Sequence, residues 1–139
     1  MLNQSGIKKE TYGNVDQILF NVEHQVSVSI VVDDSTVTSA DGTGRKILKA
    51  GTPLTGDLGA RTTPFTKASA GSSGAASNAV GVLLHDVDVT NGDANGTLLI
   101  FGFVNTDRIN ETTQGELTQY VKAALPMICF AAMDDHDED

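Results

Sequence analysis

Tryptophan is absent from the 139 residues, and aromatics make up only 5%. That leaves no stacking platform of the kind that holds single-stranded nucleic acid. A single cysteine, Cys129, excludes an internal disulfide. Positive charge is scarce: 9 Lys+Arg face 18 Asp+Glu, a net −9. Five of those acids, Asp134, Asp135, Asp137, Glu138 and Asp139, crowd the last six positions, and without them the balance is still 9 against 13. Neither balance suits phosphate backbones or an anionic membrane surface, so neither nucleic acid nor membrane is expected as a partner. No apolar run is long enough to span a bilayer. The first ten residues hold no apolar stretch of the signal-peptide kind, which predicts synthesis in a cytoplasm. The Asn-x-Ser/Thr triplets at Asn3, Asn95 and Asn110 then carry no weight.

Motifs for chemistry are equally sparse. The stretch from Asp86 to Asp93 has the look of a calcium loop, but positions six and twelve are Asn91 and Thr97, where Gly and Glu are needed. On a regular strand His85 and Asp86 would point to opposite faces and could not share an ion. Ser72 and Ser73 lie between glycines without a G-x-S-x-G elbow. Cys129, in Met-Ile-Cys-Phe, is expected to be buried and inert. The Gly71–Gly74 loop leads toward a strand and lacks the Gly-Lys-Ser/Thr of a phosphate cradle. These residues predict no enzyme, no metal site and no cofactor.

What the chain does have is glycine, 14 of 139, and alternating β-branched residues. Val26, Val28 and Ile30 alternate with Ser27 and Ser29, which predicts a half-buried strand over 24–32. Residues 46–54 read as a short strand meeting a turn, and 55–78 as a long Gly/Ala/Ser/Thr surface loop. Residues 79–89 and 97–104 read as strands around a turn at Asn91-Gly92 and Asn95-Gly96, making one long antiparallel hairpin at the core. Thr113-Gln114-Gly115-Glu116 fits a capping box, followed by Leu117, Val121, Ala124 and Leu125 on one helical face and a stop at Pro126. Residues 127–132 read as a last strand. The expected class is mostly β with one short helix (α+β). Residues 1–20 form an arm, with 1–14 mobile in the free protein; 21–132 form the domain, and 133–139 a solvated acidic tail.

A resemblance rests on the Gly/Ala/Ser loop, on Ala79-Val80-Gly81-Val82-Leu83-Leu84 after it, on the polar turn, and on Leu98-Leu99-Ile100-Phe101-Gly102-Phe103-Val104. With Gly51-Thr52-Pro53-Leu54 upstream, this resembles the lambda-type head decoration proteins of tailed bacteriophages across residues 46–132. Residues 1–45 make a longer and more strand-like front than the resemblance leads one to expect.

The resemblance implies a small decoration-protein β fold. It implies a homotrimer bound to the major capsid protein at three-fold positions on the outer surface of the expanded capsid, opposing the pressure of packed DNA. Ile18, Leu19 and Phe20 of the arm are then candidates to contact the capsid by adding a strand, or simply to cover the chain's own core. Val80, Val82, Phe101 and Phe103 are candidate trimer contacts. Another β-rich virion part, such as a head-fibre base or tail-tube subunit, is the competing expectation. A small-ligand binding module is a further one.

Overall fold

Alternation along the chain builds eight short or medium strands. The computed structural model describes residues 18–19, 23–38 and 42–132. The strands are β1 (Val26–Val32), β2 (Ile47–Leu48), β3 (Pro53–Thr55), β4 (Thr66–Lys67), β5 (Gly81–Leu83), β6 (Val87–Asp88), β7 (Ala94–Asn105) and β8 (Ile128–Ala131). Two short helices, α1 (Glu111–Gln114) and α2 (Gln119–Ala124), lie between β7 and β8. The fold is mostly β with a minor helical part, as the sequence predicts.

The twelve-residue β7 is the spine. One side of it pairs antiparallel with β1 and then, at Val104, with Leu19. Its other side pairs antiparallel with β5 at Val82–Leu99 and Leu83–Leu98, then parallel with β8 from Gly102–Ile128 to Asn105–Ala131. The sheet continues from β5 to β3 to β4. It then meets β1 again, because Phe65, just before β4, donates its N–H to Val31 O (2.7 Å) and accepts from Asp33 N (2.9 Å). The strands therefore close into a ring, which removes an exposed edge where a two-residue β4 would otherwise leave one.

A bulge at Ile100 sets the faces. Val26 pairs with Phe101 and Ser27 with Leu99, so β7 carries one extra residue and shifts its alternation. Two cores result. Inside the ring, Ile30, Val32, Leu54, Phe65, Leu83 and Leu98 pack with Leu48, Val87 and Val89 of the β2–β6 ribbon. On the outer side, Leu99, Val82 and Val104 pack with Leu117, Val121 and Leu125 of the helical segment and with Ile128. Adjacent residues of β5 and β7 thus serve opposite cores. Gly81 is required where β5 crosses β7: a Cβ there would stand 2.6 Å from Leu99 O.

Several expectations change. The 79–109 stretch pairs antiparallel but briefly. After Leu84 the chain bends at His85 and Asp86, and β6 leaves β7 to pair with β2. Asp86 Oδ1 accepts Ala50 N (2.8 Å), which holds that bend. Asn95-Gly96 lies inside β7 opposite Val31 and Ile30, and the turn is one step earlier, at Gly92. The predicted single helix is two. Asn110 caps α1, accepting Thr112 N (2.9 Å), while Thr118 caps α2, accepting Val121 N. Glu116 does not complete a capping box with Thr113; it pairs with Lys67 at 3.1 Å. Thr118 also donates to Ala70 O (2.5 Å), so the restart of the helix is tied to the 68–78 loop. Cys129 is exposed, contrary to expectation. In β8, Ile128 and Phe130 take the core side, and the two-residue period turns Cys129 outward.

Candidate functional site

Three surface features carry chemistry. The first is a concave site of about 390 Å³ where β2 and the 85–86 bend approach the end of β7. Lys49, His85, Asp86, Arg108 and Asn110 line it, over a floor of Ile18 and Ala50. Asp86 is occupied twice, by Ala50 N and by Lys49 Nζ at 3.6 Å. Arg108 is placed by the turn Thr106–Arg108, whose start Asn105 caps through Asp107 N (3.0 Å). Gly51 adjoins this site at φ +95°, and a Cβ there would stand 2.9 Å from Ile109. His85 and Asp86 share the cleft because they sit on a bend; the expectation that a strand would separate them fails with the strand itself.

The second feature is a group of three acids. Asp33, Asp34 and Asp93 carry carboxylate oxygens within 4.8 Å of one another. Local backbone explains them. Asp33 caps the turn Asp34–Thr36 by accepting Ser35 N (2.8 Å), and that backbone hydrogen bond holds its carboxyl below the ordinary value. Asp93 accepts Asp34 N (2.9 Å).

The third is apolar. Val26, Phe101 and Met127 are 48%, 36% and 60% exposed, three of the four large hydrophobics exposed among the described residues. They lie side by side. Val26 pairs with Phe101, and Met127 O accepts Gly102 N just before β8 begins. Phe103 follows on the same face of β7, paired with Cys129. That face turns away from the helices, since Val104 carries the opposite face into the outer core. A contiguous apolar row of this kind marks a contact surface more often than a scattered leucine does.

The predicted site residues fall differently. Ile18 and Leu19 are 1% and 3% exposed, covering the chain's own outer core, with Asn105 N donating to Ile18 O (2.7 Å). They therefore belong to the domain and not to a free arm. Phe20 and residues 1–17 of the predicted arm lie outside the described residues, as does the tail. Val82 is 0% exposed within the outer core, which removes it as a trimer contact. Val80 is half-buried against the inner core. Phe101 and Phe103 come together with Val26, Met127 and Cys129, none of which sequence reasoning singled out as a contact. A two-residue period read along 127–131 would have found Cys129 and Met127.

Among the described residues no helix is long and apolar enough to cross a membrane. No protein-family model matches the chain, and no curated protein matches it.

Proposed function

We propose that this chain decorates and stabilises an expanded phage capsid from the outside, as a homotrimer at three-fold positions. The observation that carries the reading is the apolar row Val26–Phe101–Met127 with Phe103, set on the sheet face that the helices leave bare. Two of those residues belong to the strand on which the resemblance to lambda-type decoration proteins rests. The physical logic is mass action: a protein that binds only the expanded shell shifts the shell toward that state. A three-fold ring matches a three-fold target copy for copy, and each bound copy raises the effective concentration of the next. The small closed β body supports the role because its stability is internal, leaving the apolar row free for contact.

Replacing Phe101 and Met127 together by Asp tests this. Both are exposed, so the fold is expected to survive, while affinity for expanded capsids falls about tenfold or more. Sedimentation with capsids reads the effect. Binding equal to that of the unmodified chain would remove the row from the proposal.

A further inference from the structure

We propose that the acidic tail, residues 133–139, docks in cis into the cleft lined by Lys49, His85 and Arg108, as an intramolecular acidic peptide. Three facts on the fold lead there. First, position: β8 ends at Ala131 paired with Asn105, and Arg108 is three residues beyond Asn105. Paired strands are about 5 Å apart, and three residues span at most about 11 Å. The tail therefore leaves the sheet beside the cleft. Second, length: seven residues reach at most about 24 Å, enough to bring several acids to the cleft without crossing the body. Third, charge: the tail carries five acids, and the cleft brings two cations and a histidine together on a body that is otherwise net negative.

The acid already present in the cleft does not cancel this complement. Asp86 accepts Ala50 N with one oxygen and faces Lys49 Nζ with the other at 3.6 Å, a separation loose enough for a second carboxylate to share the ammonium. Lys49 is about half exposed, so its contribution is screened and each contact is weak. Weak contacts suffice because the tail is tethered, with an effective concentration in the millimolar range. While docked, it closes the cleft to other anions.

Paramagnetic relaxation reads the contact in the full chain. Cys129→Ser with His136→Cys places one nitroxide mid-tail and keeps all five acids. Arg108 lies near any tail conformation, so the informative amides are Lys49 and His85. They are expected to lose intensity about twofold or more at about 20 mM salt and to recover near 500 mM. They are also expected to recover at low salt in Lys49→Gln. The same recovery is expected when the tail carries Asp134→Asn, Asp135→Asn, Asp137→Asn, Glu138→Gln and Asp139→Asn, changes that leave the folded body untouched. Full intensity at low salt overturns the proposal, and so does a loss indifferent to salt and to both sets of substitutions. Broadening of unlabelled, isotope-enriched chains mixed with spin-labelled ones would place the tail on a second copy and overturn docking in cis.

Discussion

Asp88 shows how one exposed carboxylate organises a turn. Thr90 Oγ1 donates to it, Thr90 N–H donates to the same oxygen (2.9 Å), and Arg45 Nη2 stands 3.1 Å from the other. Together, with the Thr90 hydroxyl first, they lower its pKa from 3.8 to about 2. A folded value below the unfolded one means that this stabilisation is complete above the unfolded pKa and is lost as pH falls from about 4 toward about 2. The thermal midpoint of Asp88→Asn should therefore fall less steeply with acid across that window. Asp33, also lowered by its backbone cap, keeps part of the slope in the variant. Parallel curves for the two proteins would contradict the assignment. Cys129 gives a second test at this scale. Being exposed, it should react with an aromatic disulfide reagent in the native state, at one thiol per chain. Cys129→Ser should shift stability by no more than about 0.5 kcal/mol. Reaction only after denaturant is added would show the thiol to be buried.

At the scale of elements, the helical segment is held by its caps more than by its length. Helices of four and six residues are too short to stand alone. Thr118 serves both α2, through Val121 N, and the 68–78 loop, through Ala70 O. Thr118→Ala should cost about 1–2 kcal/mol, read by chemical denaturation with an unchanged slope. Loss below about 0.3 kcal/mol would show that the cap is dispensable. The same residues explain what could be read beforehand. The period-two runs around Ile30, Leu99 and Ile128 announce strands locally, and Pro126 announces a stop. The split helix depends on a loop carbonyl 48 residues away. The departure of β6 depends on Asp86 reaching Ala50 N, 36 residues back. Ring closure depends on Phe65, in a stretch whose composition reads as loop. None of these has a local pattern. The cleft was illegible for the same reason, since Lys49, His85 and Arg108 share no spacing that a sequence motif could express.

For the whole molecule, the division of labour between faces is the main point. Two cores use up Ile18, Leu19 and Val82, residues that a contact surface would otherwise draw on. What remains for a partner is the row around Phe101 on one face and, in the proposal above, the cleft that receives the chain's own tail. The apolar row stays small enough for each single contact to be weak, so avidity on a repeating shell supplies the affinity. The most direct test adds the purified full-length protein to undecorated expanded capsids of its phage, and to unexpanded ones, and images both. The account predicts trimeric density at three-fold positions on the outside of expanded capsids alone, with Phe101 and Met127 in contact. Bare expanded capsids, or single copies at capsomer centres, would contradict it.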